Sequence, residues 1–467
     1  MTVKSDLIAS LVQQEFDKLP AKRKPVVRDN GLREWVPLSG IVAEGMKCLP
    51  SSKLSQARGN VLHDWHAEVL AIRAFNCFVL DECRALASGS KSSSPFIRHR
   101  NSIEINPSPD CVGNKCDGHE KEGSWHSQPF TWREDVLLHM YCSEAPCGDA
   151  SMELTMASQA DATPWAIPTS PSQGLPSSPT STLLEPEALL PGRAYFSQLG
   201  IVRRKPSRGD APPTLSKSCS DKLSLHQCTS LLSSVTSLLV SPEHAYISTL
   251  ILPAAQYSAL GCRRAFSDGQ SRNEREGGDV GLRQQQQQEA RMAPLAAQTQ
   301  GDGGYAFRPF SVETTDLEFV FSRRSPASIL TLSPSRVPKT KITPSNISTA
   351  HTASNRTETT LNGVLQGRKA SAADIRGASF ASRRQIWSLA VEVAGLLASD
   401  EPNQSIQTDK RDTLHIRDAL GVAGTGPTYA QVKNCASLGP RRRAKEIARR
   451  EALRGWVRNV GDEDFLL

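Results

Sequence analysis

The sequence contains no long hydrophobic run. None of its 467 residues lies in an apolar stretch approaching the roughly 20 residues that a membrane-spanning helix needs. The first residues, MTVKSDLIASLVQQEF, also lack the basic, apolar and small-residue order of a secretory signal peptide. We therefore expect the eleven cysteines to lie in a reducing compartment without a disulfide framework, in an intracellular protein of the nucleus or the cytoplasm.

Positive charge is concentrated near one end of the chain. The net charge is +7, and residues 428–458 alone carry nine basic side chains against two acidic ones, so the remainder is neutral. A basic segment of this kind favours a polyanionic partner. On composition alone, a solvated helix face is the favoured explanation.

Five stretches are too polar, or too rich in Ser, Thr, Pro and Gln, to bury enough apolar surface to order themselves. We expect disordered surface insertions at residues 86–128, 155–192, 262–302, 323–358 and 397–427. The remaining residues are enough for one large domain, whose core runs from about residue 24 to residue 467.

The segments between these insertions alternate between two hydrophobic periods. Short apolar runs predict buried strands at 34–44, 135–143 and 245–253. Helical spacing is found at 66–82, from Pro146, at 224–239, at 382–398 and from about 442 to 457. An amphipathic N-terminal helix, with Leu7, Ile8, Leu11 and Phe16 on or near one face, is expected to pack against the domain. Alternating strands and helices predict a layered α/β domain.

Two predicted helices begin with residues that bind metals. The stretch DWHAEVLAIRAF places His66 and Glu68 at the start of one helix, and Pro146 and Cys147 open another directly after a buried strand. An imidazole and a thiolate at two helix N-termini suit one metal ion, because the helix dipole favours the thiolate. A catalytic zinc needs three protein ligands and keeps a fourth position for water.

The third ligand is not in the usual place. Many zinc deaminases supply it from a P-C-x-x-C motif, whereas Cys147 is followed by Gly148, Asp149 and Ala150. Cys142 lies on the strand side of the turn, and Cys228 lies within a helical pattern, where a cysteine is usually a small core residue. Cys219 lies in a loop just before a helix, as His66 and Cys147 do, so it is the preferred candidate.

Glu68 is the candidate proton shuttle. Hydrolysis of an amino group from a base needs a residue that takes the proton of water and passes it to the ring nitrogen and the leaving ammonia. Glu68 lies two residues after a predicted ligand and is not itself a ligand. Taken alone, H-A-E is more simply a helix cap followed by a first-turn acid. Together with P-C-G after a strand, it indicates a deaminase site.

Four blocks carry a resemblance to a known family: DWHAEVLAIRAF, SEAPCGDASMEL, RRKPSRGDAPPTLSKSCSDKL and NGVLQGRK. They resemble the adenosine deaminase (editase) domain shared by the ADAR RNA-editing enzymes and the eukaryotic tRNA-specific adenosine deaminases of the Tad1 type. PCGDAS and GDAPPTLSKSCSDKL are more similar to the tRNA branch, and no double-stranded-RNA-binding pattern precedes the blocks. The resemblance implies a cytidine-deaminase-like fold, zinc held by His66, Cys147 and Cys219, and Glu68 as the shuttle.

The same resemblance implies the reaction and the partner. It implies hydrolytic deamination of adenosine to inosine in tRNA, most simply alanine tRNA at the adenosine immediately 3′ of the anticodon, position 37. A base in that loop is extruded into a pocket at modest cost. Neither a membrane nor DNA is an expected partner. Two alternatives stay open: an ADAR-like deaminase of another RNA, and an RNA-binding or scaffold relative without turnover.

A second cofactor is also implied by the resemblance. Domains of this family bury an inositol hexakisphosphate beneath the active site. The matching residues in this sequence are Lys47, Arg73, Lys222, Lys369, Tyr429, Lys433 and Lys445. Several positions depart from the family pattern, namely Met46, Ile72, Leu225, His226 and, near the end, Arg458 or Asn459.

One further cysteine and histidine cluster lies inside the first predicted insertion. Cys111, Cys116, His119 and His126 are spaced as C-x4-C-x2-H-x6-H, which fits no standard zinc-finger spacing well. A structural zinc at this cluster is a minor hypothesis.

Overall fold

The computed structural model describes most of the chain. The described residues are 4–26, 33–40, 43–44, 48–105, 128–159, 163, 198–205, 212, 214–270, 290–298, 301–323, 342–368, 375–397, 410–422 and 426–467. Within these ranges, no helix combines the length and the apolar character that crossing a lipid bilayer requires.

The described residues form ten α-helices and thirteen strands. The helices are α1 (Lys4–Asp17), α2 (Ala67–Ala87), α3 (Ser102–Ile105), α4 (Met152–Ala157), α5 (Cys219–Thr229), α6 (Ala259–Phe266), α7 (Arg383–Leu396), α8 (Lys410–Leu420), α9 (Tyr429–Asn434) and α10 (Gly439–Glu451). The strands are β1 (Arg33–Trp35), β2 (Leu38–Gly40), β3 (Ala43–Glu44), β4 (Ile97–His99), β5 (Phe130–Trp132), β6 (Leu138–Cys142), β7 (Val240–Ser241), β8 (Ile247–Pro253), β9 (Ser311–Thr315), β10 (Ile342–Pro344), β11 (Ile347–His351), β12 (Thr357–Leu361) and β13 (Val364–Leu365).

One mixed sheet of eight strands organises the fold. Its order is β13-β12-β11-β3-β2-β6-β8-β9, in which β6, β8 and β9 run parallel and the other neighbours run antiparallel. Strand β8 is buried along nearly its whole length, as expected of an apolar strand covered on both faces. Two small sheets, β4-β5-β7 and β1-β10, complete the described strands. The predicted α/β class, a mixed sheet flanked by helices, is confirmed.

Helix α2 lies at the centre of the domain. Most of its residues are buried, including Phe75, whose ring lies 5.3 Å from that of Trp132. The helix packs against β2, β3 and β11 of the large sheet and also contacts α7. A helix that is apolar on nearly every face belongs in the interior of a domain. Its N-terminus, which carries His66 and Glu68, is therefore held by the core.

The predicted strand and helix bounds need correction. The run at 34–44 is divided into β1, β2 and β3, because Pro37 has no N–H for a sheet ladder. The helix predicted at 224–239 instead begins at Cys219 and ends at Thr229, where Ser230 adopts a left-handed φ of 57°. The C-terminal basic helix spans Gly439–Glu451.

The N-terminal helix also differs from its prediction. Phe16 and Ala9 are buried against the domain, whereas Leu7 and Leu11 are about half exposed. The predicted packing of this helix against the domain is confirmed, but its inward face is rotated away from Leu7 and Leu11.

The predicted insertions are too wide. Described elements lie inside them, including β4, β10, β11 and α8, and the helices α4 and α6 end inside two of them. In β11, Ser348 and Thr349 are buried, and the hydroxyl of Thr349 lies 3.3 Å from that of Thr359 in β12. Hydrogen bonds between polar side chains of neighbouring strands thus help to order a segment whose composition alone predicts disorder.

Candidate active site and metal centre

Three predicted ligands come together in the structure. The ligand atoms of His66, Cys147 and Cys219 all lie within 4.8 Å of one another, and the Sγ of Cys147 is 3.9 Å from the Nδ1 of His66. Two thiols and an imidazole form a donor set that suits zinc, and three protein ligands with one open position are typical of a catalytic site. The donor chemistry of these residues therefore fits the ion that the sequence analysis expects.

Cys147 lies in a turn after β6, not in a helix. The predicted helix from Pro146 begins only at Asp149, as a 3₁₀ turn that continues into α4. Gly148 makes the turn possible, because its φ of 106° and ψ of −141° belong to a region that other residues avoid. A Cβ at this position would lie 2.2 Å from the Oγ of Ser218, so only glycine allows the two ligand loops to approach each other.

The helix N-terminus that favours the thiolate of Cys147 belongs to α5, and not to the helix predicted from Pro146. Cys219 is the first residue of α5, and its backbone N–H donates to the Sγ of Cys147 at 3.3 Å. Ser218 caps the helix by accepting from the N–H of Asp221. The hydrogen bond from Cys219 and the neighbouring cations lower the pKa of Cys147 well below its usual range, whereas burial raises the pKa of Cys219.

His66 immediately precedes α2. Burial and Lys205 act to lower its pKa, but the thiolate of Cys147 and the carboxylate of Asp64 raise the pKa of His66 to about 10. A metal cation held by the three side chains would bind this imidazole in its neutral form.

Glu68 lies in the first turn of α2 and is buried. Burial and then the negative charge of Cys147 raise its pKa above the ordinary value. A carboxyl group close to the three donors, and able to hold a proton, has the properties that a proton shuttle needs.

A charged network next to the three donors could not be identified from local sequence patterns. The buried Nζ of Lys205 lies 3.2 Å from the Sγ of Cys219 and 2.9 Å from the Oδ2 of Asp64. The same carboxylate accepts from Ser216 and Lys222, and its Oδ1 accepts from the backbone N–H of His66. Burial lowers the pKa of Lys205, but Asp64 and the two thiols together raise it well above its usual range, so the side chain stays charged.

The remaining cysteine candidates have structural positions. Cys142 is the last residue of β6 and accepts from the hydroxyl of Ser39, and Cys228 is buried in a small apolar cluster on α5. Cys48 lies close to Asp64 and His66, at the edge of the donor group. The C-x4-C-x2-H-x6-H cluster of the sequence analysis lies outside the described residues.

Five of the seven residues expected to bind a polyanion lie among the described residues, and Lys47 and Lys369 lie outside them. The five are Arg73, Lys222, Tyr429, Lys433 and Lys445. The Nζ of Lys433 lies 5.9 Å from the ring centre of Tyr429, and Tyr429 acts electrostatically on Arg73. The positive charge of Lys433 helps to lower the pKa of Lys445. These residues therefore form one group beside the ligand loops.

Basic side chains of α5, α9, α10 and the segment just before α5 form what we call the basic cradle. Its members are Lys217, Lys222, His226, Lys433, Arg441, Lys445 and Arg449. Burial and then neighbouring cations lower the pKa of Lys445 well below its usual range, and burial with Lys222 and Arg449 lowers that of Lys217 to about 7. The buried Nε of Arg449 has no hydrogen-bond partner among the described residues. Lys222 also pairs with Asp64 and Lys433 with Glu463, but the group as a whole carries more positive than negative charge. Partly buried basic side chains that lie this close together fit a multiply charged anion.

The positions that depart from the family pattern divide into two groups. Ile72 and Leu225 are core side chains, so neither contributes charge to the basic cradle. His226 lies within the cradle, and the positive charge of Arg458 helps to lower the pKa of Lys445. The Oδ1 of Asn459 is buried. Met46 lies outside the described residues.

A layered α/β domain in which one histidine and two cysteines converge beside a buried glutamate has the architecture of the hydrolytic deaminases of nucleosides and nucleobases. The family described as "Adenosine-deaminase (editase) domain" matches residues 41–110 and 119–301. The chain belongs to this adenosine-deaminase family, whose members are hydrolytic deaminases.

Curated relatives agree with this membership. A Schizosaccharomyces pombe protein named tRNA-specific adenosine deaminase 1 is 34% identical over 68% of this chain and 70% of its own length. A Saccharomyces cerevisiae protein of the same name is 30% identical over 53% of the chain and 58% of its length. A Rattus norvegicus protein named double-stranded RNA-specific editase B2 is 28% identical over 32% of the chain and 18% of its length. Within the family, the chain is of the Tad1 type.

Proposed function

We propose that the chain is a zinc-dependent deaminase that converts adenosine to inosine in tRNA, at the adenosine immediately 3′ of the anticodon of alanine tRNA. The observation that carries the proposal is the convergence of His66, Cys147 and Cys219 within 4.8 Å. The names of the two yeast relatives support tRNA as the substrate. The reaction consumes adenosine and water and yields inosine and ammonia.

Zinc would be held by His66, Cys147 and Cys219. When bound, the ion supplies a Lewis acid that makes water nucleophilic near neutral pH. Glu68 would take one proton from the attacking water and give it to the ring nitrogen, and would then carry the second proton of that water to the amino group that leaves as ammonia. Its burial in the first turn of α2 keeps bulk water from competing for the proton.

The charged network next to the donors positions the ligands. Lys205 donates to the Sγ of Cys219, and Asp64 fixes both Lys205 and the backbone of His66. Partners that orient ligands in this way raise metal affinity by about 10- to 100-fold in known sites. Lys205 and Asp64 are therefore positioning residues for the centre.

The basic cradle would hold inositol hexakisphosphate. Its cations, with Arg73 and Tyr429 beside them, supply charged donors that suit phosphate groups. Lys222 belongs to the basic cradle and also donates to Asp64. A polyanion in the cradle would therefore stabilise the same loops that carry the three metal-binding residues.

The proposal is tested by inosine formation on matched RNAs. The substrates are an alanine tRNA transcript, the same transcript with guanosine 3′ of the anticodon, and a duplex RNA without tRNA structure. We expect inosine in the first transcript, at that adenosine, and none in the second or third. Inosine in the duplex alone would transfer the activity to another RNA, and a zinc-loaded protein without turnover on any of them would support a scaffold role.

A further inference from the structure

His226 occupies an unusual position within the basic cradle. It lies four residues after Lys222, so the two side chains project from the same face of α5. Helix α10 packs against α5 and brings Arg441 and Lys445 to that face. The family that the sequence resembles has a tryptophan at this position, so His226 is one of the departures from the family pattern.

The orientation of the imidazole is fixed by the turn that follows α5. The Nδ1 of His226 lies 2.6 Å from the carbonyl oxygen of Ser230. A carbonyl only accepts, so Nδ1 carries the hydrogen and Nε2 is left as the second ring nitrogen. Arg441 holds the same turn by donating to the carbonyl oxygens of Thr229 at 2.7 Å and Leu232 at 2.6 Å.

The largest charges that act on His226 are positive. They come from Lys222 on its own helix and from Arg441 and Lys445 on α10. Burial and these cations lower the pKa of His226 to about 4, against the opposing effect of the Ser230 bond. The neutral ring has only a lone pair at Nε2, which repels a phosphate oxygen. A proton at Nε2 would convert it into a charged donor.

We propose that His226 binds a phosphate group of the polyanion as an imidazolium, with Nε2 as the donor, so that polyanion binding takes up a proton from solvent at this residue. The inference rests on the polyanion site of the proposed function. The proton balance is simple: one proton moves from water to Nε2 on binding and returns on release. Retention of the polyanion therefore weakens as pH rises.

Other members of the basic cradle also contribute to proton uptake when the polyanion binds. Lys217, whose pKa is lowered to about 7, and Lys445 also gain protons when an anion neutralises their surroundings. The phosphates of the ligand titrate as well. The contribution of His226 must therefore be measured as a difference between variants that share all these other groups.

The test measures how long labelled inositol hexakisphosphate stays bound to the full chain at pH 6 and at pH 9. His226→Gln keeps a neutral donor, His226→Trp restores the residue common in the family, and exposed His415→Gln serves as a matched control. Between pH 6 and pH 9, lifetimes in the wild type and in His415→Gln should fall by at least about tenfold more than in His226→Gln or His226→Trp, because one proton taken up on binding contributes about tenfold for each pH unit in which it is linked to binding.

His226→Arg, whose guanidinium stays charged across this pH range, should retain the polyanion at pH 9 longer than the wild type does. Equal pH dependence in the wild type, His226→Gln and His226→Trp would overturn the assignment of His226 and leave the polyanion site standing. If the wild type retains no labelled polyanion at either pH, the proposed polyanion site itself is wrong.

Discussion

The Nζ of Lys205 lies 3.2 Å from the Sγ of Cys219, and both side chains are buried. The lysine is held by the carboxylate of Asp64, which also accepts from the backbone of His66. One ion pair thus connects two of the three ligands, and Lys222 joins it to the basic cradle. The metal centre and the cradle form one continuous structure in this domain.

Glu68→Gln tests the proton shuttle. The amide keeps the size of the side chain but cannot take up a proton, so inosine formation should fall by about 10²- to 10⁴-fold. Zinc content and the thermal midpoint should stay at wild-type values, because Glu68 is not among the three donors that converge. Activity within twofold of the wild type would remove Glu68 from the reaction.

Gly148→Ala tests the close approach of the two ligand loops. An added Cβ would lie 2.2 Å from the Oγ of Ser218, at a φ of 106°. We expect a loss of zinc together with a loss of unfolding free energy larger than the roughly 1–2 kcal/mol of left-handed backbone strain alone.

Gly367→Ala is the matched control for that experiment. Its φ is 84°, and no atom lies within 4 Å of the added Cβ, so it reports backbone strain without a collision. It should lower stability by only about 1–2 kcal/mol and leave zinc content unchanged. If both variants lost the same amount of stability and of zinc, the close packing of Gly148 on Ser218 would not be needed for the metal site.

Phe465→Ala tests the contact between the C-terminal segment and the loop before His66. The ring of Phe465 stacks on that of Tyr429 at 5.0 Å, and a Cβ on Gly59 would lie 2.2 Å from it. Removing a buried aromatic ring costs about 3–5 kcal/mol of unfolding free energy. Exposed Leu467→Ala, two residues later, should change stability by less than about 0.5 kcal/mol, measured by the same urea titration.

His63 should make stability depend on pH. Burial and then Arg383 lower its pKa to about 4, against the opposing effect of the hydrogen bond that His63 donates to the carboxylate of Asp462. Below its ordinary pKa of 6.5, the unfolded chain binds a proton that the folded chain excludes. The free energy of unfolding should therefore fall as pH drops from 6.5 towards 4, by about 3 kcal/mol for this residue.

His63→Gln should reduce that slope by about one proton, whereas His415→Gln on the surface should leave it unchanged. Urea titrations at several pH values between 4 and 7 measure the slopes. A slope that is the same in His63→Gln as in the wild type would show that His63 does not titrate in this window.

Local sequence patterns predict the site residues that lie at the start of a helix. His66 and Glu68 precede and open an apolar helix, and Cys219 was selected because a helix follows it. Lys205 carries no comparable signal, because its partner Asp64 lies 141 residues away in the sequence. Buried charges of this kind become visible only once the chain is folded.

The fold was predictable where strands are apolar and less so where they are polar. Strands β6 and β8 follow directly from their apolar runs. Strand β11 was predicted as insertion because its buried Ser348 and Thr349 are polar residues. The hydroxyl of Thr349 faces that of Thr359 across the ladder, so this side chain keeps a hydrogen bond on burial, whereas the buried hydroxyl of Ser348 has no partner among the described residues.

The most direct test of the account is zinc content and inosine formation on alanine tRNA, measured for the wild type, Cys219→Ser and Cys228→Ser. Cys228 lies on the same helix as Cys219 but in an apolar cluster. We predict about one zinc per chain and activity in the wild type and in Cys228→Ser, with both lost in Cys219→Ser. Full zinc content and turnover in Cys219→Ser would contradict the metal centre described above.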